Sequence, residues 1–207
     1  MTEHVRPLVS ATQRLEQSSS LDGLRRFYAA VSGPVDGWSG SEVLRSGLIG
    51  HALHPLLTDL PLGCWTAASA LDLRGRPEDR GASRWLVGAG LAAVGPTALT
   101  GLAEWARTGR EAQRVGALHG ALNVVATTLY LTSFVARTRR RHTLGVATAL
   151  AGAAATGVSG YLGGHLTTAR KVGSRDPAYA LDAVGPDLGR RDSPEPLEPV
   201  TGPGALT

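Results

Sequence analysis

Long uncharged stretches follow one another along the middle of the chain, separated by short charged segments. Four windows that together hold 96 of the 207 residues contain two charged residues, Asp59 and Asp72, and no Lys or Arg. An amphipathic helix of a soluble protein carries charge along its outer face, whereas a helix that crosses a bilayer needs about 20 mostly apolar residues. The pattern therefore predicts membrane-spanning helices. The windows are residues 46–73, 85–103, 115–136 and 143–169.

The connections between these windows are short, and this favours helices that lie side by side. Short connections make sequential helices antiparallel neighbours. The expected fold class is therefore all-α, an integral membrane up-down four-helix bundle. Its spans are predicted at residues 54–73, 85–103, 115–136 and 143–166.

The polar N-terminal segment, residues 1–45, contains a short amphipathic pattern. Apolar residues recur at helical spacing, with Ser20 as a candidate N-cap. The pair Gly33-Pro34 is expected to end this helix, which is predicted to lie on the membrane surface or on the end of the bundle. The apolar positions are Leu21, Leu24, Phe27, Tyr28 and Val31.

Prolines mark the other end of the chain. Six of them fall within residues 174–207, and prolines at this density break any long helix. The sequence thus predicts three regions: a polar N-terminal segment (1–45), a four-helix transmembrane domain (46–173) and a flexible Pro-rich tail (174–207).

Composition and charge exclude several classes of protein. The basic residues are 20 Arg and one Lys, and the pI is about 9.8. Arg clusters beside apolar segments are the usual flanks of membrane helices, and no nucleic-acid recognition motif accompanies them, so no nucleic-acid partner is expected. Cys64 is the sole cysteine, which excludes an intrachain disulfide. A polar N-terminal segment without a signal-peptide pattern favours a multi-pass protein of the cell membrane with cytoplasmic tails.

Four histidines fall at the ends of the predicted spans. His51 and His54 open the first span, His119 lies in the first turns of the third, and His165 ends the fourth. Since the first and third spans begin on the side of the N-terminus and the fourth ends there, all four histidines are expected near one membrane face, within roughly two helical turns of depth.

Other polar residues share this end of the predicted bundle. Asp59 lies about one turn deeper than His54, Glu104 closes the second span, Asn123 follows His119 by one turn, and Tyr161 precedes the last histidine by one turn. An ionisable side chain in lipid costs several kcal/mol unless it is satisfied. Asp59 is therefore predicted to point into the bundle toward a polar partner, most simply a histidine.

Three interpretations of this polar cluster remain open from the residues alone. Histidines on facing helices are the usual axial ligands of haem in helical bundles. With carboxylates they also suit zinc, copper or nickel, or a proton-linked role. They can equally be structural, forming hydrogen bonds between helices. Small residues four apart in the fourth span indicate close helix packing or room for a flat cofactor; they are Gly152, Thr156, Gly160 and Gly164.

Three spaced motifs then suggest a family. The stretches GHALHPLLTDLPLGCWTAASALDL, LHGALN and SGYLGGHL, in this order within residues 48–173, resemble an uncharacterised bacterial family of four-helix membrane proteins that also occurs fused to Rieske iron–sulfur domains. Its hallmarks correspond here to His54-Pro55, a Pro-x-Gly-x-Trp run ending at Trp65, His119, and Gly-Gly-His ending at His165. The resemblance implies a histidine pattern similar to that of small b-type cytochromes. It also implies association with redox proteins. No Cys-x-His pair is present here, so a Rieske-type partner would be a separate protein.

Two functional hypotheses follow. In the first, the protein is a membrane redox protein that binds haem b through His54 and His119, and passes electrons between a quinone and an iron–sulfur partner. His165 could replace either ligand and His51 is a further alternative; His54, His119 and His165 are expected to converge on one metal site. Asp59, Asn123, Tyr161 and Glu104 would orient these ligands. In the second, the protein is a non-redox membrane module that handles metal ions or protons, or anchors a partner.

Overall fold

The computed structural model describes residues 6–45 and 51–173, and every regular element in these ranges is helical. Three helices come first: α1, Pro7–Gln17; α2, Asp22–Asp36; and α3, Ser41–Leu44. Four long helices follow: α4, Leu53–Arg74; α5, Arg80–Trp105; α6, Arg110–Thr138; and α7, His142–Gly164. Short 3₁₀ turns occupy Ser19–Leu21 and Pro77–Asp79, and a π-helical turn occupies His165–Ala169. The predicted C-terminal tail and the start of the first apolar window lie outside the described residues.

Three helical segments are long and apolar enough to cross a membrane. They are Pro77–Trp105, Arg110–Thr138 and His142–Ala169. Helix α4 is 22 residues long, and it carries Asp59 and Asp72 within its length. The all-helical fold class and a membrane protein with several apolar helices are therefore confirmed.

The long helices pair as two antiparallel hairpins. Helix α4 packs along α5, and α6 packs along α7. Gly75 ends α4 in the left-handed conformation, with φ at 70°, a conformation that glycine adopts without steric cost. The second hairpin turns at Arg140, whose φ is 59°, and closes with a hydrogen bond from the Arg141 amide to the Ala136 carbonyl.

The centre of the bundle is built from a few large side chains among small ones. Trp65, Val87 and Tyr130 form its middle together with buried alanines. A second cluster near the N-terminal helices contains Val115 and Leu162. Small residues at helix contacts let backbones approach closely, which is the main source of helix association in lipid.

The N-terminal segment is more helical than its sequence pattern predicts. Helix α1 was not predicted; its proline, Pro7, occupies the first helical turn, where the missing N–H costs nothing. Helix α2 begins at Asp22 without a side-chain cap, so Ser20 is not its N-cap. The predicted stop at Gly33-Pro34 is also wrong. Pro34 lies in the last turn, where it removes a single hydrogen bond, and the Gly37 amide still bonds to the Gly33 carbonyl.

Candidate functional site

His54, at the start of α4, faces α5. Its Nδ1 lies 2.9 Å from the carbonyl oxygen of Thr97 and 3.4 Å from the hydroxyl of Thr100. Because a carbonyl only accepts hydrogen bonds, Nδ1 carries the proton and donates it. Among the described residues no hydrogen bond reaches Nε2, so this nitrogen keeps its lone pair free. A methyl group at Gly101 would lie 2.8 Å from the ring, which shows how closely the imidazole fits against α5.

His119, on α6, is held in the same manner by α7. Its Nδ1 donates to the carbonyl of Ser159 at 2.8 Å, and a methyl group at Gly163 would lie 2.9 Å from the ring. Its Nε2 accepts a hydrogen bond from the Asn123 side-chain amide at 3.1 Å, and the Ser159 hydroxyl donates to the Asn123 carbonyl oxygen at 2.8 Å. Both nitrogens of this imidazole are therefore satisfied.

Helices α4 and α6 each present one stripe of polar and aromatic side chains toward the other. On each helix an aromatic residue lies 11 residues after the histidine, and a charged residue lies 18 residues after it. These spacings are about three and five helical turns, so the three side chains share one face of the helix. The aromatic rings stack, with centroids 3.9 Å apart and planes 15° apart. The residues are His54, Trp65 and Asp72 on α4, and His119, Tyr130 and Arg137 on α6.

The far end of these stripes is a buried ion pair that the sequence analysis missed. Arg137 donates to both oxygens of Asp72, at 2.5 and 2.9 Å, and to the hydroxyl of Ser83 at 3.0 Å. Their side chains are 2% and 1% exposed. The available signal was positional: each residue lies 18 residues after a histidine. The predicted third span ends at residue 136 and leaves Arg137 just outside it.

His165 does not join the other two imidazoles. Its Nε2 lies 2.7 Å from Glu16 of α1, and Arg170 makes a further ion pair with that carboxylate. The hydrogen bond from Arg170, with support from His165, holds the pKa of Glu16 below its ordinary 4.5. No group of three or more His, Cys, Asp or Glu in the described residues could hold a metal ion. The predicted convergence of three histidines is thus wrong for the described residues, because His165 instead pairs with the buried Glu16 of α1.

Further ion pairs fasten α2 to the start of α6 and to the connection between α5 and α6. Asp22 of α2 binds Arg110 and Arg114 at 2.7 and 2.8 Å, and Asp36 binds Arg107 at 2.7 Å. These arginines hold the pKa of both carboxyl groups below the usual range, that of Asp22 mainly through Arg114. The basic flank of the apolar helices therefore serves as a docking surface for the N-terminal segment.

Two of the predicted supporting residues lie on the outer face. Asp59 is exposed and makes no hydrogen bond within the described ranges, so its predicted inward orientation is wrong. The buried positions of α4 include Pro61 and Trp65, and Asp59 lies about 200° around the helix from Pro61. Tyr161 is 42% exposed on α7. His51 is also exposed and lines an open surface groove with Asp59.

Glu104 reaches His54 through the backbone instead of the ring. It is buried at the end of α5, and Oε1 accepts a hydrogen bond from the His54 amide at 3.4 Å. This carboxylate thus caps the first turn of α4, where an anion is favoured by the helix dipole.

The spaced histidine motifs correspond to a recognised family. A family model described as "Predicted membrane protein (DUF2231)" matches residues 50–176, more than half of the chain. The chain belongs to the DUF2231 family. No curated protein and no solved structure matches it significantly. Membership of DUF2231 agrees with the resemblance inferred from the motifs and with the apolar helices of the structure.

Proposed function

We propose that this DUF2231 protein is a membrane-embedded redox protein that holds haem b between His54 and His119. The observation that carries the proposal is the matched environment of the two imidazoles: in each, a backbone carbonyl accepts the proton of Nδ1. This leaves Nε2 as the ligating atom, which is the arrangement that outer hydrogen bonds give to metal-bound histidines. Haem bound by two imidazoles supplies one-electron redox chemistry.

For the Nε2 atoms of both histidines to bind haem iron, one neighbouring side chain must move. Nε2 of His54 is available, whereas Nε2 of His119 accepts from Asn123. Ligation by His119 needs the Asn123 amide to turn away. The hydroxyl of Ser159 donates to Asn123 Oδ1. This hydrogen bond gives the Asn123 side chain a partner after its amide has rotated away from His119. His165 and His51 have no part in this centre.

The membrane placement completes the proposal. Helix α4 is the fourth span, because the 18 residues from His54 to Asp72 rise about 27 Å, close to the roughly 30 Å of a bilayer core. Helix α2 lies at the interface, with exposed Phe27 and Val31 toward the headgroups. Both ends of the described chain lie on one side, the cytoplasmic one, and the haem exchanges electrons with a quinone or a separate Rieske-type protein.

A second candidate function is favoured by the hydrogen bonds of His119. Its two nitrogens are already satisfied, as expected of an imidazole that simply joins helices. On this alternative the domain is a non-redox membrane module, either handling metal ions or protons or anchoring a partner protein.

Absorption spectroscopy tests the proposal. The full chain is purified in detergent after expression with added haem precursor, and spectra are recorded before and after dithionite. We expect a Soret band that shifts on reduction, and its loss in His54→Ala and in His119→Ala. His165→Ala is the matched control and should retain the band. A colourless protein that also fails to take up added hemin, or a band that survives both ligand substitutions, would contradict the haem assignment. Asn123→Ala separates the two candidates: it should preserve haem binding if His119 is a ligand.

A further inference from the structure

The two hairpins carry the same contacts at constant spacing. A constant offset of 65 residues relates α4 to α6, and an offset of 62 relates α5 to α7. Several contacts inside the first hairpin have counterparts inside the second at these offsets. His54 and Thr97 correspond to His119 and Ser159.

The correspondence continues along the full length of both hairpins. Gly101 and Gly163 each make room for an imidazole, while Gly90 and Gly152 make room for an aromatic ring. At the far end, the positions beside the charged residues correspond as well. These deeper pairs are Trp65 with Tyr130, Asp72 with Arg137, Ser83 with Gly145, Val87 with Ala149, and Gly90 with Gly152.

Corresponding side chains of α4 and α6 also meet each other. Trp65 stacks on Tyr130, and Asp72 pairs with Arg137. Contacts between equivalent positions arise where a two-fold axis passes between them. Since α4 and α6 run in the same direction, this axis lies along the bundle, as in membrane proteins built from parallel repeats.

We infer that the membrane domain is a tandem repeat of one helical hairpin, and that each copy is a unit that presents one imidazole toward a shared pseudo-two-fold axis. In each unit the second helix supplies two positioning groups one turn apart: a carbonyl, from Thr97 or Ser159, that fixes the proton on Nδ1, and a glycine, Gly101 or Gly163, against which the ring packs. The repeat itself is independent of haem. The statement that the presented nitrogens bind a ligand rests on the proposed function.

The two units also differ from each other around the two imidazoles. Thr58 occupies the position that corresponds to Asn123, and Asp59 the one that corresponds to Val124. The first unit therefore leaves its Nε2 open and the second covers it. A ligand approaching the axis meets His54 first and displaces Asn123 from His119 afterwards.

Glycine substitutions with matched controls test the presenting unit. Gly101→Ala and Gly163→Ala place a methyl group within 3 Å of an imidazole, whereas Gly95→Ala and Gly160→Ala, on the same two helices, meet no atom within 4 Å. We expect the first pair to lower the unfolding temperature of the detergent-solubilised protein by about 3–10 °C. The control pair should leave it unchanged or raise it, because alanine is the better helix former.

The outcomes separate the repeat from the ligand. If only one of Gly101→Ala and Gly163→Ala is destabilising, or if both behave like their controls, the equivalence of the two units is refuted. If both are destabilising and the wild-type protein takes up no haem, the repeat stands and the proposed function fails. If haem is bound, both variants should weaken its retention by a similar factor, and unequal factors beyond tenfold would contradict a shared axial site.

Discussion

At the scale of single residues, a carbonyl or a carboxylate orients three of the described histidines. Carbonyl oxygens accept the Nδ1 proton of His54 and of His119, whereas the carboxylate of Glu16 accepts from His165. The same residue type thus serves two purposes within one bundle. In the first two rings Nδ1 is held by a carbonyl, and Nε2 of His119 is bonded to Asn123, while the carboxylate ties His165 to an N-terminal helix.

Acid should release α1 from the bundle. The folded pKa of Glu16 is lower than its ordinary 4.5, so its ion pairs contribute full stability above that pH and lose it as the pH falls through the lowered value. Unfolding temperature, and protection of residues 6–45 from protease, should therefore be flat from pH 7 to about pH 5 and fall below it. Glu16→Gln should weaken protease protection already at pH 7 and should reduce the further loss of stability below about pH 5, here called the acid limb. Glu78→Gln, in the exposed turn before α5, is the control. An acid limb unchanged in Glu16→Gln would refute this role.

The two aspartates of α4 should differ sharply in their importance. Asp72→Ala leaves the buried guanidinium of Arg137 without its counter-charge, which costs about 3–5 kcal/mol in comparable buried pairs. Asp59→Ala removes an exposed side chain and should change stability by less than about 0.5 kcal/mol. Denaturation of both variants in the same detergent measures the difference. Equal effects would show that the buried pair does not stabilise the bundle.

At the scale of elements, the hairpin is the unit that positions each imidazole. The first helix of each hairpin contributes the imidazole, and the second contributes the carbonyl and the glycine that position it. Neither helix alone defines the ring's orientation. The N-terminal helices add a separate layer, tied to the bundle end by ion pairs as well as by apolar contacts such as that of Tyr28 with Trp105.

Labelling of single cysteines can establish whether α4 crosses the membrane in addition to α5, α6 and α7. In a Cys64→Ser background, cysteines at Glu78 and Arg139 occupy the two turns at one end of the hairpins, and a cysteine at Glu111 lies at the other end. With four spans, a membrane-impermeant maleimide applied to intact cells should modify the first two alike and the third oppositely. Gln13→Cys on α1 should match Glu111→Cys. Agreement of Gln13→Cys with Glu78→Cys would show that α4 does not cross the membrane and would contradict the topology.

At the scale of the whole molecule, the pseudo-two-fold axis organises three layers. The imidazoles lie at one end, the stacked Trp65 and Tyr130 rings lie about three turns further along, and the Asp72–Arg137 pair lies at about five turns. The charged layer is where the two halves differ most in chemistry, since equivalent positions carry opposite charges. A fused repeat permits this specialisation, which two identical chains could not achieve.

Exchange of the charged layer between the halves tests the symmetry directly. Asp72→Arg alone should be as disruptive as any unpaired buried charge, because Ser83 and Ala68 leave no space for the longer side chain. Exchange of all equivalent positions should restore unfolding temperature to within about 5 °C of the wild type, since each new side chain meets the surroundings of its counterpart. Failure of the complete exchange to improve on Asp72→Arg would argue against equivalent halves. The set is Ala68→Ser, Asp72→Arg, Ser83→Gly, Ser133→Ala, Arg137→Asp and Gly145→Ser.

The sequence by itself determined the four long helices and the end of the bundle at which His54 and His119 lie. Runs without Lys or Arg identify apolar helices because charge is costly in lipid, and the alternation of short connections places His54 and His119 at the same end. The helices in the structure extend the predicted spans by a few residues, because the charged flanks continue the helix until Gly75 or Arg140 reverses the chain.

Only the tertiary structure decided which way each polar side chain points. In water the outer face of a helix is polar and reveals the inner one, but a helix in lipid is apolar on every side. The orientations of Asp59 and Asp72 around α4 were therefore not encoded in local hydropathy. The partner of His165 was equally hidden, since Glu16 lies 149 residues away. The packing of hairpin against hairpin, which pairs residues at a fixed offset, selected one polar stripe for the axis and left the other facing outward.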